Sequence, residues 1–328
     1  MFFKKDTSSH VDPNDEHRDF KLMESVVVDA FEEQKKSRRW GIFFKSLTFL
    51  YLFVGILVFY PVINGGAGRP SAKKDHTAVI RIDGPIASNE SASAANINAG
   101  LRRAFENEHA KAIILAINSP GGSPVQSAYV FDEIYRLRDE YPDKKVYAVI
   151  EEIGASGAYY IASAADEIYA NRSSLVGSIG VTASGFGFVD TIKKLGVERR
   201  HFTAGEHKAF LDPFSPVKED EKLFWEQVLK NTHVQFIDAV KKGRGERLTI
   251  TDEITSGLVW NGEQALTNGL IDGLGSARNI ARDIIGEEEL VGYSQRKSPI
   301  TELMKNFGVS VGEGVGHFVM QNNVELTY

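Results

Sequence analysis

Residues 112–126 read AIILAINSPGGSPVQ, and this stretch decides the fold class. Its first seven residues are almost all apolar, which is typical of a central strand buried on both faces of a parallel sheet. The pair Gly121 and Gly122 then turns the chain, and Ser123 followed by Pro124 is typical of a helix start. The stretch therefore predicts a buried strand, a tight turn and a helix, which is the repeating pattern of an α/β fold.

Strand-length and helix-length patterns alternate on both sides of this stretch. The segments TAVIRI and KVYAVIEE predict two more strands, and amphipathic spacing predicts the helices. These helices are expected over 97–107 and 124–141, after Ser156, and over about 218–242. Strand followed by helix implies right-handed crossovers and a largely parallel sheet. We expect one α/β domain over residues 76–289 and an extension over 290–328, with three roles open for the extension: a docking helix, a processed tail or an interface element.

The composition fits a globular enzyme and excludes several other classes. The chain has 328 residues, 42% hydrophobic and 25% charged, which is enough to bury a large core. A net charge of -6 gives no overall basic field, so no nucleic-acid partner is expected. The absence of cysteine removes disulfides, thiolate metal sites and a cysteine nucleophile, and it leaves the redox compartment open. Neither a cofactor nor a metal is expected.

Residues 46–63, SLTFLYLFVGILVFYPVI, predict a single transmembrane helix. These eighteen residues carry no charge and are about long enough to cross a hydrocarbon core of ~30 Å at ~1.5 Å per residue. A buried core helix is disfavoured by the polar flanks, and a cleaved signal peptide by the 45 residues that precede the span. More basic residues precede the span than follow it, which places the N-terminus in the cytoplasm and the C-terminal body outside. We expect a cytoplasmic tail over 1–45, holding at most one short helix within 18–38, and a linker over 64–75.

The segment GASGAYYIAS, residues 154–163, places Ser156 between a strand and a helix. Its hydroxyl is expected at the carboxyl edge of the sheet, where α/β folds bind ligands. A serine at a helix start is usually a cap. The small neighbours of Ser156 favour a nucleophile instead, because an acyl group needs cleared space and a cap does not. The turn at Gly122 could supply backbone N–H groups to an oxyanion hole or anion site, or could be only a tight turn.

A nucleophilic serine needs a base, and the sequence motifs that commonly supply one are absent around Ser156. The G-x-S-x-G motif fails because Ala158 occupies the last glycine position. An S-x-x-K pattern occurs from Ser71 to Lys74, but it lies in the linker without the motifs that accompany it in β-lactamases. Seven histidines stand in polar contexts and are expected in the cytoplasmic tail or on the surface: His10, His17, His76, His109, His201, His233 and His317.

Lys208, within TAGEHKAFLDPFSP over residues 203–216, is the remaining candidate base. A lysine with an ordinary pKa of about 10.4 is protonated at neutral pH, so it must be desolvated to a pKa near ~7 to accept a proton. The apolar side chains that follow it are expected to enclose its ammonium; they are Ala209, Phe210, Leu211 and Phe214.

Five blocks of this sequence resemble the S49 peptidases, the signal peptide peptidase A family, in order and approximate spacing. They are INSPGGS, GASGAYYIASAADEIYA, SSLVGSIGV, AGEHKAFLDPFSP and GLVWNGEQALTNGLIDGLG, and the resemblance covers residues 78–274. It implies an α/β fold of the Clp protease/crotonase type, with repeated β-β-α units. It also implies a catalytic dyad of Ser156 and Lys208, with Ser178 orienting the lysine and an oxyanion hole formed by the N–H groups of Gly122 and Gly157.

The resemblance also implies partners and a location. It predicts a homo-oligomer whose dyads form across protomer interfaces, acting on remnant signal peptides and other hydrophobic peptides. The catalytic domain is then expected on the periplasmic side of a bacterial inner membrane. The chain departs from the family at Ala158, where glycine is common, and in its long cytoplasmic tail. Two alternatives stay open: a catalytically idle oligomeric scaffold, and a crotonase-type acyl-CoA enzyme, which the membrane span disfavours.

Overall fold

The computed structural model describes residues 13–64 and 74–294. These residues belong to two compact units, an N-terminal helix and an α/β unit. Residues 1–12 of the expected tail, most of the expected linker and most of the C-terminal extension lie outside the described residues.

The N-terminal helix α1 spans Pro13–Asn64 without interruption. The sequence predicted at most one short helix before the membrane span, and this expectation was wrong. Residues 14–40 contain neither glycine nor proline, so nothing breaks the helix between its polar and apolar parts. Its stretch Val26–Ile56 is long and apolar enough to cross a membrane.

The α/β unit alternates strands and helices as the sequence predicts. The strands are β1 His76–Asp83, β2 Ala110–Ser119, β3 Val146–Ala155, β4 Glu167–Ala170, β5 Leu175–Gly177, β6 Val259–Asn261, β7 Gly273–Leu274 and β8 Leu290–Gly292. The helices are α2 Ala94–Glu106, α3 Pro124–Glu140, α4 Gly157–Ala162, α5 Val189–Lys194, α6 Glu219–Arg244, α7 Gly262–Thr267 and α8 Ala277–Ile280. A 3₁₀ turn follows α6 at Gly245–Arg247, and a π turn follows α8 at Ala281–Ile285.

The strands form one mainly parallel sheet in the order β6-β5-β3-β2-β1-β8. The pairing of β5 with β6 is antiparallel, and β4 and β7 extend the sheet from the first half of β3. An isolated parallel β-bridge joins Ile86, just after β1, to Gly122, just after β2. The chain segments that follow these two strands therefore stay paired beyond the ends of the strands. The predicted α/β fold class, with one apolar helix before it, is confirmed.

The strand β2 is buried on both faces, as its apolar sequence predicts. Ile113, Leu115 and Ile117 pack into the main core, whereas Ala112 and Ile114 pack into a smaller cluster on the opposite face. Successive side chains of a strand point to opposite faces, so a continuous apolar run requires cover on both sides.

The last strand, β8, belongs to the predicted extension and not to the predicted domain. It pairs in parallel with β1, with Leu290 opposite Thr77. The expected domain boundary at residue 289 therefore separates β8 from the sheet to which it belongs. A strand of only three residues gives little periodic signal in the sequence. Residues 295–328 lie outside the described part of the chain.

A buried ion pair fastens the end of α6 to the sheet. Arg244 is 1% exposed and donates to the Asp272 carboxylate at 2.7 and 3.0 Å and to the Gly269 carbonyl at 2.9 Å. The same carboxylate accepts from the Ile168 N–H at 2.7 Å. Burial acts to raise the pKa of Asp272, but the hydrogen bonds from Arg244 and Ile168 outweigh it and hold this pKa below its ordinary value.

We expect Arg244→Met to destabilise the fold by about 3 kcal/mol, because it leaves a carboxylate and a carbonyl buried without their donor. The control Arg278→Met removes the exposed partner of Glu288 and should cost about 1 kcal/mol or less. Urea unfolding of the full chain measures both.

The pair of Arg244 and Asp272 should stabilise the fold above the unfolded pKa of Asp272, about 3.9. This stabilisation should be lost as the pH falls through the lowered pKa of Asp272 in the folded chain. Equal effects of the two substitutions would contradict this account.

Candidate active site

Three parallel strands end side by side at one edge of the sheet. Ser119 of β2 is in register with Gly154 of β3, and Ala155 of β3 is in register with Gly177 of β5. The residues that follow these strand ends are the glycine turn, Ser156 and Ser178. The sheet register therefore brings together three segments that lie far apart in the sequence.

Ser156 has a backbone conformation that is rare for a residue with a side chain. Its φ is 52° and its ψ is -124°, and it stands at the N-cap position of α4 without making a side-chain capping bond. Its N–H donates to the Gly177 carbonyl at 2.8 Å, which locks this conformation to β5. Such strain is worth about 1–3 kcal/mol and gathers at functional sites. The capping explanation for Ser156 therefore fails.

Two backbone N–H groups lie close together beside Ser156. A Cβ placed on Gly157 would lie 3.3 Å from the Gly122 nitrogen, so the glycine turn and the start of α4 are in contact. Gly157 is the first residue of α4, where an N–H has no acceptor within the helix. Among the described residues, neither N–H has a hydrogen-bond acceptor. Paired donors of this kind suit an oxyanion.

The turn at Gly122 cannot accept a side chain without moving. Its φ is 153°, and an added Cβ would lie 2.2 Å from the Ile86 carbonyl oxygen. We expect Gly122→Ala to lower kcat for peptide cleavage by about 10²-fold, the scale of losing one oxyanion donor. The control Gly187→Ala places its methyl group in open space and should leave kcat unchanged. Full activity in Gly122→Ala would rule out this turn as part of the oxyanion hole.

A cavity of about 930 Å³ opens in front of this edge of the sheet. Ser156, Gly157, Gly122 and Ser178 all line it, and its remaining walls come from α3, α4, α6 and residues 180–182 and 255–257. Ser178 also has a positive φ, 52°, and its N–H donates to the Leu258 carbonyl at 2.7 Å. The structure thus brings four of the five predicted site residues to one cavity.

Lys208 is the fifth predicted residue, and the structure places it elsewhere. It is exposed and is not among the residues that line the cavity. The apolar residues after it were expected to enclose its ammonium; in the single chain they do not, because Leu211 and Phe214 are themselves exposed. Any enclosure of Lys208 must come from outside its own segment.

The turn that carries Lys208 is held by local hydrogen bonds. The Lys208 N–H donates to the Gly205 carbonyl at 3.2 Å. The carboxylate of Asp212 accepts from the Phe214 N–H at 3.3 Å and from the Ser215 hydroxyl at 3.0 Å. Burial acts to raise the pKa of Asp212, but these bonds hold it below its ordinary value. The lysine is therefore presented at the surface by a defined turn.

Two histidines expected at the surface lie elsewhere. His76 is fully buried, with its Nε2 2.9 Å from the Tyr293 hydroxyl, because it begins a central strand. His233 is half-buried on α6 and lines the cavity of Ser156. Its position three residues before Phe236, on the apolar face of α6, was the signal that could have identified it as inward-facing.

Several known proteins are similar to this chain. The model of peptidase family S49 matches residues 138–290. A Brucella abortus protein named Na(+)/H(+) antiporter NhaA is 43% identical over 225 residues, which are 67% of this chain and 30% of that protein. Protease 4 of Haemophilus influenzae is 33% identical over 219 residues, 65% of this chain and 35% of that protein.

A third relative is the chloroplastic serine protease SPPA of Arabidopsis thaliana. It is 29% identical over 259 residues, which are 76% of this chain and 38% of that protein. The chain thus spans 30% to 38% of the length of these three relatives. The matched family model covers Ser156, Gly157, Ser178 and Lys208. Residues 138–290 of this chain thus resemble peptidase family S49.

Proposed function

We propose that this chain is a serine endopeptidase that uses a Ser156 and Lys208 dyad. The neutral Lys208 amine takes the proton of the Ser156 hydroxyl as its oxygen attacks a peptide carbonyl. The N–H groups of Gly122 and Gly157 bind the oxyanion that forms, and the lysine returns the proton to the leaving amine. Water then hydrolyses the acyl-enzyme. Ser178 hydrogen-bonds the lysine and orients it.

The observation that carries this proposal is the environment of Ser156. A strained serine whose hydroxyl caps no helix, beside two unpaired backbone N–H groups at the wall of a large cavity, is the arrangement that acyl transfer requires. A helix cap or a packing residue needs neither the strain nor the cavity. The match to family S49 supports the same reaction.

The proposal places Lys208 in the site of a neighbouring copy of the chain. Within one chain Lys208 is exposed and does not line the Ser156 cavity. The surrounding segment also leaves large apolar side chains uncovered, including Phe186 and Phe202, which are 81% and 92% exposed. Exposed apolar surface of this kind marks an interaction site, and a second copy would cover it while enclosing the lysine. The active form is then a homo-oligomer.

The proposal also anchors the chain in a membrane through α1. The apolar stretch of that helix suits a bacterial inner membrane, with its basic end in the cytoplasm and the α/β unit outside. The substrates are then remnant signal peptides and other hydrophobic peptides. Ion exchange is not part of the proposal, because the match covers 30% of the antiporter-named relative and the described residues hold one helix able to span a membrane.

A fluorophosphonate probe tests the proposed reaction on the full chain in detergent. This reagent phosphonylates an activated serine, so we expect it to label Ser156 and to stop cleavage of an apolar signal-peptide substrate. Peptide mapping by mass spectrometry identifies the labelled residue. An assembled chain that neither cleaves the peptide nor takes up the probe would favour the idle scaffold. Hydrolysis of acyl-CoA thioesters without peptide cleavage would favour the crotonase-type alternative.

A further inference from the structure

The imidazole of His233, on α6, contacts the backbone of the residue that follows Ser178. Its Nε2 is 3.1 Å from the carbonyl oxygen of Ile179, a residue 54 positions away in the sequence. A carbonyl oxygen only accepts hydrogen bonds, so Nε2 carries a hydrogen and donates it. Both the neutral tautomer that satisfies this contact and the protonated imidazole keep this donor.

Hydrogen bonds to the backbone of three consecutive residues, Gly177, Ser178 and Ile179, fix the chain around Ser178. The Gly177 carbonyl accepts from the Ser156 N–H at 2.8 Å, and the Ser178 N–H donates to the Leu258 carbonyl at 2.7 Å. The third contact is the bond from His233 to Ile179. Only this third bond comes from a side chain, so only this one can be removed by a substitution that leaves the main chain intact.

The backbone at Ser178 needs such support. Its φ of 52° is disfavoured for any residue with a Cβ, and strand β5 has already ended at Gly177. Residues 178–188 form neither a helix nor a strand, so beyond the backbone bonds at the Gly177 carbonyl and the Ser178 N–H no ladder holds this conformation. The bond to Ile179 restrains the residue that follows Ser178, and without it we expect the segment to relax toward a negative φ, which turns the Ser178 side chain.

We propose that His233 is a positioning residue for the peptidase reaction. By donating to the Ile179 carbonyl, it holds Ser178 in the orientation in which its hydroxyl meets the catalytic lysine. This inference rests on the proposed function and adds to it a residue of α6. The rival role for His233, general base to Ser156, predicts a different response to substitution, because a base must lose activity when its basic nitrogen is removed.

Two substitutions separate these roles in the full chain in detergent. Glutamine carries an amide nitrogen at the same place along the side chain, so His233→Gln keeps the donor but removes the base. We expect it to retain most of the wild-type kcat and the wild-type pH profile. His233→Leu loses the donor, and we expect kcat and the rate of fluorophosphonate labelling to fall about tenfold to hundredfold with KM changed by less than about twofold.

A matched control and a double variant complete the experiment. Gln227→Leu removes an exposed polar side chain of α6 that does not line the cavity, and it should leave kcat unchanged. Because His233 acts through Ser178, the variant His233→Leu/Ser178→Ala should be no slower than Ser178→Ala alone.

Four results would overturn the inference. They are full activity in His233→Leu, a rise in KM alone, losses that multiply in the double variant, and a His233→Gln variant as inactive as Ser156→Ala. The last result would make His233 the base. A wild-type chain that neither cleaves peptide nor takes up the probe overturns the proposed function as well, whereas an active wild type with an equally active His233→Leu overturns this inference alone.

Discussion

Peptide cleavage by the full chain is expected to fall by about 10⁶-fold when Ser156 is replaced by alanine, the scale seen when a serine nucleophile is removed. The remaining rate would come from substrate binding and the two N–H donors, which the substitution leaves in place. The measurement is single-turnover cleavage of an apolar signal-peptide substrate in detergent. Ser173→Ala is the control, because Ser173 is an exposed loop serine outside the cavity.

Two further expected results distinguish loss of the nucleophile from loss of the fold. The Ser156→Ala chain should keep the wild-type oligomer size, since its backbone N–H still donates to Gly177. It should also lose all fluorophosphonate labelling. A variant that stays assembled and cleaves peptide at the wild-type rate would remove Ser156 from the mechanism.

Replacement of Lys208 with alanine is expected to lower kcat by about 10⁴-fold, because the serine is left without a base. The control is Lys230→Ala, which removes an exposed lysine from α6. Since Lys208 does not line the Ser156 cavity of its own chain, we expect this loss to be repaired by a second chain.

Mixing the two inactive variants tests where the dyad forms. In oligomers assembled from equal amounts of Ser156→Ala and Lys208→Ala chains, about a quarter of the interfaces would pair an intact serine with an intact lysine. The mixture should therefore recover up to about a quarter of wild-type activity. Refolding the variants separately and mixing them without exchange provides the background. No recovery in mixed oligomers would show that the dyad forms within one chain or that Lys208 is not the base.

The parts of the site that could be predicted from the sequence are those set by local patterns. Ser156 and Gly122 each follow an apolar strand and precede a helix, so their place at the carboxyl edge of a parallel sheet follows from sequence order alone. The register of β3 with β5 then places Ser178 next to Ser156. That register comes from the structure, and in the sequence Ser178 was indicated only by the family resemblance.

The parts that could not be predicted depend on contacts that carry no local pattern. His233 looked like a surface histidine because its partner, Ile179, belongs to another segment. The apolar residues after Lys208 predicted its enclosure, yet two of them, Leu211 and Phe214, are exposed in the single chain. The polar residues of the tail carry little periodic signal, although the absence of glycine and proline from residues 14–40 permits a continuous α1.

The positive φ of Ser156 makes the residue that is best for stability different from the residue that is needed for the proposed reaction. At a φ of 52° glycine is less strained than serine, so a serine at this position does not stabilise the fold. A chain free to drift toward maximal stability would replace it, and under the proposed mechanism it would lose its nucleophile in doing so. In that mechanism, a serine is kept here for its chemistry, against the preference of the backbone.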